Sequence, residues 1–476
     1  MHLFGTVVAF LLLGVVMSAA AVEPAVGSTG ASATAGPPFA DGEVVTMIGD
    51  SITHDGRYAR YISEYYVARF PTRTVRFINC GIAGDTAAGV LKRLASDILP
   101  HKPTAAVVML GMNDVGRGAY GTAAPAAAQA TEFREKFITN FRTNLEQLVT
   151  QLRAAGVVRI ILITPSPFDQ SAELTIDKQV GVNDALGRLA AITTEIAHSK
   201  NCGLVDFHGP MTALNLAMQR DNPKFTLIGN DRVHPGSTGH LLMAGLFLRA
   251  QGVPTVVSRI ALDAAGKAVT VHELAEASAL TWSSDGVTFD VLAQALPMPI
   301  NPDTKAALEW QPSAVGALNR DELTVAGLAA GTYRLSIDNA EIARVTAQQL
   351  AAGLDLSAYP KTPQTVQAQG LLALSYEHYS TLQPLRSIAL IDEKWLPGLG
   401  GPAVDPNDKE AVAKQLAAAV AKAAGAPGWK QRLQDEYVKA KPNVAQIEAK
   451  ADELAKRLHQ AAQPKPHHYE LKRVGD

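Results

Sequence analysis

Three side chains of this sequence have the types that nucleophilic catalysis requires: Ser51, Asp231 and His234. A serine hydroxyl is a poor nucleophile until a base accepts its proton, and the ordinary pKa of histidine, about 6.5, suits His234 to that task near neutral pH. Because Asp231 precedes His234 by three residues, one loop turn can bring its carboxylate to the imidazole Nδ1. There it would fix the tautomer and stabilise the imidazolium. These residues therefore predict an acyl-transfer site.

Short segments that carry polar or glycine residues follow one another along the first half of the chain. In order they are Gly49-Asp50-Ser51-Ile52-Thr53, Asn79-Cys80-Gly81-Ile82-Ala83-Gly84-Asp85-Thr86, Gly111-Met112-Asn113-Asp114 and Asp231-Arg232-Val233-His234-Pro235. The first three follow predicted strands, and the fourth precedes a predicted helix. Together they resemble the SGNH (GDSL) hydrolase superfamily over residues 43–252. The resemblance implies a serine esterase on a flavodoxin-like, doubly wound parallel sheet.

The resemblance also implies an oxyanion hole, which is a set of hydrogen-bond donors for the charged oxygen of the tetrahedral intermediate. Its donors would be the backbone N–H groups of Ser51 and Gly84 and the side-chain amide of Asn113. Gly84 suits this role because the absence of a Cβ lets the backbone approach a substrate closely. Each residue also has a structural alternative. Ser51 could only cap the following helix, Gly84 could only form a turn, and Asn113 could bond its own loop.

Other polar residues near these segments are predicted to have structural roles. Asp50 and Asp114 are expected to brace loops, and His54 is expected to be structural rather than catalytic. Asp231 and His234 could likewise be loop residues only, although their spacing and the following Pro235 match the family pattern. Two roles remain open for the loop Gly116–Ala128: it could border a substrate pocket, or it could have no function.

Alternating apolar runs and amphipathic stretches between residues 43 and 252 predict the elements that position these residues. The strand candidates are Val44–Ile48, Val75–Asn79, Ala105–Leu110, Arg159–Thr164 and Gly203–Phe207. The helix candidates are Arg57–Arg69, Ala87–Ile98, Ala130–Ala155, Val182–Ser199 and Thr238–Arg249. The pattern is typical of a parallel sheet with helices on both faces.

The chain continues for more than 200 residues beyond this core, and its pattern changes after Pro254. Short β-like runs occur at Ser258–Leu262, Val269–His272, Val287–Leu292 and Thr332–Ile337. Helical stretches follow at Leu371–Tyr379, Lys409–Ala424, Lys430–Lys439 and Val444–Ala462. The tail from Pro464 is expected to be mobile, with no metal role for His467 or His468. This extension could shape the site, bind a carbohydrate surface or mediate assembly.

The N-terminus resembles a secretory signal peptide, since an apolar stretch from Thr6 to Val16 precedes Ser18-Ala19-Ala20-Ala21. The alternative is an uncleaved anchor helix, for which the apolar run is short. The expected organisation is a signal peptide (1–21), a flexible linker (22–40), a hydrolase domain (41–253), a β-rich extension (254–345) and a helical C-terminal region (346–476). The mature protein is expected to be secreted or periplasmic, without a membrane span.

Cys80 and Cys202, the two cysteines, are predicted to be unpaired and buried. A doubly wound sheet would place them at opposite edges, whereas a disulfide needs Cα atoms within about 7 Å. The formal net charge of −2 gives no electrostatic case for nucleic acid or anionic membranes as partners. Metal-ligand spacings and phosphate-binding glycine loops are absent from the sequence, so no cofactor is implied.

The predicted function is an exported esterase, favoured as an O-acetylesterase on carbohydrate or another short-chain esterase. The alternatives are a lysophospholipase-like lipid esterase and a non-catalytic surface or carbohydrate-binding protein on the same core. The sequence leaves open the acyl group, the alcohol, the role of residues 254–476 and the oligomeric state.

Overall fold

The computed structural model describes residues 34–398 except 123 and 311–314, residues 408, 410–411 and 414–415, and residues 428–475. The predicted signal peptide, most of the predicted linker and most of the predicted helix Lys409–Ala424 lie outside these residues.

The apolar runs of the first half form a five-stranded parallel sheet with the order β2-β1-β3-β4-β5. Its strands are β1 (Val44–Gly49), β2 (Arg76–Gly81), β3 (Ala105–Met109), β4 (Arg159–Ile163) and β5 (Gly203–Val205). This order is that of the flavodoxin-like doubly wound sheet, so the predicted fold class is confirmed. Every residue of β3 is buried, as expected for the centre of a parallel sheet covered on both faces.

Helices flank this sheet and begin close to the strand ends that carry the polar segments. They are α1 (Ser51–Asp55), α2 (Arg57–Arg69), α3 (Ala87–Arg93), α4 (Ala127–Ala154), α5 (Val182–Ser199), α6 (His208–Gln219) and α7 (Ser237–Ala250). The bounds of α2 and α5 agree with the predicted ranges, whereas α6 was not predicted. A π-helical turn, Leu94–Ile98, continues α3.

Two further sheets follow the core. Their strands are β6 (Val256–Asp263), β7 (Ala268–Glu273), β8 (Ala275–Trp282), β9 (Gly286–Ala293), β10 (Arg320–Ala326), β11 (Thr332–Ile337), β12 (Ala340–Thr346), β13 (Leu354–Asp355) and β14 (Pro466–Gly475). One sheet has the order β13-β10-β6-β7 and the other β12-β11-β14-β9-β8. Residues from both sheets, including Leu262, Phe289 and Leu335, share one hydrophobic core. The structure therefore confirms a β-rich extension.

The expectation of a mobile tail was wrong. The last described residues form β14, which pairs with β11 on one side and β9 on the other. Tyr469 and Leu471 alternate with more exposed neighbours and enter the shared core of the two sheets. The chain therefore returns to the β region after its helices, because this period-two pattern suits a strand with one buried face.

The helices of the extension pack against one another and against the core. They are α8 (Ala306–Trp310), α9 (Ala347–Ala352), α10 (Pro363–Leu390), α11 (Gly428–Ala440) and α12 (Val444–Ala461). The predicted helix Leu371–Tyr379 is the middle of the much longer α10. Leu371 of α10 packs with Ala68 of α2 and Leu458 of α12, so α10 joins the extension to the hydrolase core. After α10 comes a π-helical turn, Ile391–Trp395.

The described end of the predicted linker is not a free segment. Ala35 and Phe39 are buried, and the Arg159 guanidinium lies over the Phe39 ring. The Ala35 N–H also donates to the Ala250 carbonyl at the end of α7. Residues 34–40 therefore pack on the core through their few apolar side chains. Of the two free cysteines, Cys80 is buried as expected, but Cys202 is only partly buried.

Candidate active site

The turn that ends β1 places Ser51 at the first position of α1. A Cβ on Gly49 would lie 2.1 Å from Thr53 Oγ1 and 2.7 Å from the Met109 carbonyl, so only glycine permits this close turn. The cap of α1 is Asp50, whose Oδ1 accepts from the Ile52 N–H at 3.0 Å. The alternative in which Ser51 serves as the helix cap is therefore wrong.

The structure brings Ser51, His234 and Asp231 into one line of hydrogen bonds. Ser51 Oγ lies 2.8 Å from His234 Nε2, and His234 Nδ1 lies 2.5 Å from Asp231 Oδ2. Ser51 comes from the C-terminal end of β1, and the other two come from the loop before α7. Ligands of open α/β sheets bind at this end of the strands. The order of nucleophile, imidazole and carboxylate is the one that a serine hydrolase needs.

Backbone hydrogen bonds fix the loop that carries Asp231 and His234. Asp231 Oδ1 accepts from the N–H groups of Val233 and His234, at 3.0 and 2.9 Å. Burial acts to raise the pKa of Asp231, but these bonds and the one to the His234 ring hold that pKa below its ordinary value. The carboxylate is therefore ionised at neutral pH, as an orienting partner of the ring must be.

Arg232, between these two residues, is a structural determinant that the sequence patterns missed. Its side chain is 0% exposed and its φ is +66°, which is uncommon for a residue other than glycine. The guanidinium donates to the backbone carbonyls of Asp169, Ala172, Leu174 and Ile176 at 2.8 to 3.3 Å. It thereby holds the 169–176 loop against the loop of Asp231 and His234. An arginine in a short polar motif gives no sign of burial in sequence.

Arg57 is a second residue that sequence reasoning missed. It donates to Ser237 Oγ at 3.0 Å and to the Pro235 carbonyl at 3.3 Å, just after His234. Asp55 pairs with Arg57 at 2.6 Å and holds its orientation. The segment after α1 is thus tied to the loop that supplies the imidazole.

Gly84 and Asn113 lie in adjacent turns. The φ of Gly84 is +72°, a conformation that favours glycine. Asn113 Nδ2 donates to the carbonyl of Asp85, the next residue, at 2.9 Å. This bond uses one of the two N–H groups of the amide and holds the Asn113 side chain against the turn that contains Gly84.

The neighbouring Asp50 and Asp114 make backbone contacts, as expected of bracing residues. Asp50 caps α1, and Asp114 Oδ1 accepts from the Ala87 N–H at 2.8 Å. Burial raises the pKa of Asp50 to about 6 and that of Asp114 to about 7. These shifts follow from burial of the carboxyl groups and do not by themselves indicate catalysis.

Part of the extension borders the turn that contains Gly84. Arg386 of α10 donates to the Gly81 carbonyl at 3.2 Å and pairs with Asp97 at 2.9 Å. The same Asp97 pairs with Arg93, which donates to the Cys80 carbonyl at 2.9 Å. Two buried arginines therefore hold the end of β2 in place, and one of them belongs to the extension.

A cavity of about 490 Å³ lies between the core and the extension. It is lined by His54, Ala83, Leu390, Arg432, Leu433 and Glu436. His54 stands one helical turn after Ser51, and Ala83 immediately precedes Gly84, so the lining includes chain neighbours of two predicted site residues. Burial, followed by the charge of Arg386, lowers the pKa of His54 to about 4, so its ring is neutral at physiological pH.

Within the described ranges, no cluster of three or more His, Cys, Asp or Glu side chains has a geometry that could hold a metal ion. His467 Nδ1 lies 2.6 Å from Asp338 and His468 Nδ1 lies 2.6 Å from Asp290.

Among the helices that the structure describes, none is long and apolar enough to span a membrane.

Residues 47–242, which contain all of these polar segments, match the GDSL-like lipase/acylhydrolase family. The chain belongs to the GDSL (SGNH) hydrolase superfamily. It is a serine ester hydrolase, as the sequence segments predicted.

Two relatives of this hydrolase differ in how much of the chain they match. An acetylxylan esterase of Geobacillus stearothermophilus is 29% identical over 235 residues, which are 46% of this chain and 98% of that protein. The solved structure of a gut microbial diltiazem-metabolizing enzyme is 30% identical, with a TM-score of 0.84. The match covers 93% of this chain and 100% of that one. Since 93% of the chain includes most of the extension, the second relative shares it.

Proposed function

We propose that this esterase works through an acyl-enzyme on Ser51, with His234 as general base and Asp231 as its orienting carboxylate. The observation that carries the proposal is the line of hydrogen bonds from Ser51 Oγ through the His234 ring to Asp231. The position of Ser51 at the start of α1 supports it further, because Asp50 caps this helix and the Ser51 hydroxyl is not used for capping.

In the first half-reaction Ser51 Oγ attacks the ester carbonyl carbon while His234 Nε2 takes the hydroxyl proton. The carbonyl oxygen becomes an oxyanion. The C–O bond to the alcohol then breaks, and the imidazolium returns the proton to the departing alkoxide oxygen. In the second half-reaction His234 takes a proton from water, whose oxygen attacks the acyl-enzyme. The carboxylic acid leaves, and the proton returns to Ser51 Oγ.

The oxyanion would be stabilised by the N–H groups of Ser51 and Gly84 and by the Asn113 amide. Support comes from the position of Asn113, whose bond to Asp85 fixes the amide beside Gly84. Loss of an oxyanion donor typically lowers kcat about 10²- to 10³-fold. Asn113→Ala should therefore lower kcat much more than it changes KM. A large rise in KM with kcat unchanged would instead indicate a substrate-binding role.

We infer that the acyl group is acetyl and that the alcohol is a carbohydrate hydroxyl. The support is the acetylxylan esterase, which matches the core of this chain over nearly its whole length. A second candidate substrate class is suggested by the diltiazem-metabolizing enzyme, because it shares the extension that borders the 490 Å³ cavity. In that case the cavity would receive the alcohol part of a small-molecule ester.

Export of the mature protein is also proposed, on the basis of the apolar N-terminal stretch and the small residues after it. N-terminal sequencing of the protein recovered outside the cytoplasm would test this. A mature N-terminus near residue 22 is expected, and recovery of the intact N-terminus in the cytoplasm would contradict it.

The decisive experiment compares the wild-type protein with Ser51→Ala on p-nitrophenyl acetate. The variant should lose nearly all activity, and equal rates would refute the assignment of Ser51 as the nucleophile.

A series of p-nitrophenyl esters with longer acyl chains should show declining kcat/KM, whereas a preference for long chains would favour the lipid esterase. Acetylated xylooligosaccharides and diltiazem, compared at equal concentration, distinguish the two alcohol classes. Leu433→Trp narrows the cavity, so it should reduce the turnover of a bulky substrate more than that of p-nitrophenyl acetate.

A further inference from the structure

A lysine of the extension contacts the turn that carries Gly84. Lys394, in the π-helical turn after α10, donates from Nζ to the backbone carbonyl of Ala83 at 3.0 Å. The same Nζ lies 3.0 Å from the position that a Cβ on residue 84 would take. The ammonium group therefore lies directly against the Ala83–Gly84 peptide.

The atoms involved belong to one peptide group, since the carbonyl of Ala83 and the N–H of Gly84 share the same planar amide. The described residues contain no cis peptide bonds, so these two groups point in opposite directions. Lys394 thus binds the side of the peptide that faces away from the N–H. A cation bonded to an amide oxygen polarises the amide and strengthens its N–H as a donor. The bond also resists rotation of the peptide plane.

We propose that Lys394 is a positioning residue that orients and polarises the Ala83–Gly84 peptide so that its N–H stabilises the oxyanion. The inference rests on the proposed function, in which Gly84 supplies an oxyanion donor. It assigns the extension a part in catalysis, because Lys394 of the extension binds the carbonyl side of the peptide whose N–H faces the oxyanion.

The surroundings of Lys394 support this role. Ala389 and Leu390, at the end of α10, pack with Ile82 in one buried cluster, which brings the lysine to the turn. Arg386 of the same helix binds the Gly81 carbonyl, so two cations of the extension hold carbonyls of one short segment. Burial lowers the pKa of Lys394, and the nearby Asp85 carboxylate opposes that shift.

The test compares Lys394→Met and Lys394→Arg with the wild-type full chain and with Lys450→Met as a matched control. Lys450 is an exposed lysine of the same extension that pairs with Glu377 at 3.2 Å. For each protein we would measure kcat and KM on p-nitrophenyl acetate, the inhibition constant of a trifluoromethyl ketone and the melting temperature. The ketone forms a tetrahedral oxyanion with a reactive serine, so its inhibition constant reports on the oxyanion hole.

Lys394→Met should lower kcat about tenfold, with KM within twofold of wild type, because a donor is weakened rather than removed. The inhibition constant should rise by a similar factor. Lys394→Arg should recover most of the lost activity, since it keeps the charge and the donor. Lys450→Met should behave as wild type in every measurement.

Other outcomes would overturn the inference. These are a wild-type kcat and inhibition constant in Lys394→Met, or a loss confined to KM. Equal losses in the Met and Arg variants together with a lowered melting temperature would indicate a purely structural role. If Lys394→Met does not fold, Lys394→Gln takes its place and is judged by the same criteria. Failure of the proposed function is distinguishable, because Ser51→Ala would then be as active as wild type. An inactive Ser51→Ala with an unaffected Lys394→Met refutes the inference alone.

Discussion

At the residue scale, the two neighbouring polar side chains of the turn after β1 have different roles, one in helix capping and one in the contact with His234. Asp50 accepts the bond from the first turn of α1, and this leaves the Ser51 hydroxyl to bond with His234. In sequence either residue could be the cap, because both types are favoured at helix N-termini. The choice depends on which side chain faces the Asp231–His234 loop, and that is a tertiary relation.

The Asp231 carboxylate offers a prediction at the same scale. In Asp231→Asn, the amide can present its NH₂ group to His234 Nδ1, which would stabilise the wrong tautomer. We expect kcat on p-nitrophenyl acetate to fall by about 10³- to 10⁴-fold, while the melting temperature changes little because the side chain is half-exposed. Asp177→Asn is a suitable control, since this carboxylate accepts from Thr122 and Gln179 and takes no part in the hydrogen bonds between Ser51, His234 and Asp231. An activity within tenfold of wild type would contradict the orienting role.

At the element scale, the core could be predicted well from sequence because each strand is a short apolar run. The apolar pattern does not specify which strands pair, so the shared core of the two β sheets of the extension could not be predicted from sequence. The strand β14 was missed because its buried Tyr469 and Leu471 alternate with histidine and charged residues near the end of the chain. A period of two over so few residues is also compatible with an unstructured segment. For the site, the motifs located Ser51 and His234 but contained no sign of Arg232 or Lys394, whose partners are distant backbone carbonyls.

The 169–176 loop depends on Arg232, and this leads to a second prediction. Arg232→Met should lower the free energy of unfolding by about 3 kcal/mol or more, because several buried carbonyls lose a charged donor at once. The activity should fall as well, since the altered residue adjoins Asp231. Urea unfolding and kcat would be measured beside Arg188→Met, which removes an exposed pair with Glu135 and should cost less than about 1 kcal/mol. Equal stability losses in both variants would contradict the importance of the Arg232 contacts.

The interface of α2 with α10 contains a buried carboxyl group whose ionisation opposes folding. Glu64 Oε1 accepts from Ser375 Oγ at 2.7 Å, and Arg60 lies 3.3 Å away. Burial, only partly offset by Arg60, raises the pKa of Glu64 to about 7. The folded state therefore binds a proton more tightly than the unfolded state, whose ordinary pKa is about 4.3. Stability from this group is present at low pH and is lost as pH rises from about 4 to 7.

This shift predicts the behaviour of Glu64→Gln, which keeps a neutral hydrogen-bonding side chain at every pH. Relative to the wild type, the variant should gain stability on the order of 3 kcal/mol between pH 4 and pH 8. Denaturant unfolding at a series of pH values measures the difference. Glu377→Gln, which changes an exposed carboxylate of α10 paired with Lys450, should show little such dependence. A difference between Glu64→Gln and wild type that does not vary with pH would contradict the raised pKa.

At the scale of the whole molecule, the extension is joined to the hydrolase core close to the candidate active-site residues. The Arg386 bond to Gly81 and the Lys394 bond to Ala83 lie at the end of β2, on the same edge of the parallel sheet as Ser51 at the end of β1. The contact of α10 with Ala68 lies at the other end of α2. The 490 Å³ cavity lies along the same boundary. The match to the core alone covers 98% of the length of the acetylxylan esterase. Part of the additional residues therefore contacts the turn that contains Gly84, beside the candidate site.

The C-terminal strand provides a whole-molecule prediction, because β14 connects the end of the chain to the interior of the β region. It pairs with β11 and β9, so its removal would break two ladders and open two new strand edges. Tyr469 and Leu471 would also leave the shared core, and the loss of each large buried side chain costs about 2–5 kcal/mol.

A chain ending at Lys465 should therefore lose the cooperative unfolding of the wild type and become sensitive to protease between residues 286 and 346. His468→Ala is the matched control, because this exposed side chain lies in the same strand and the substitution keeps both ladders. Limited proteolysis and thermal unfolding distinguish the two proteins. A mobile tail would give the opposite result, with the truncated chain as stable and as protease-resistant as the wild type. The strand pairing requires that the truncation be far more damaging than the substitution, since only the truncation removes both ladders together with Tyr469 and Leu471.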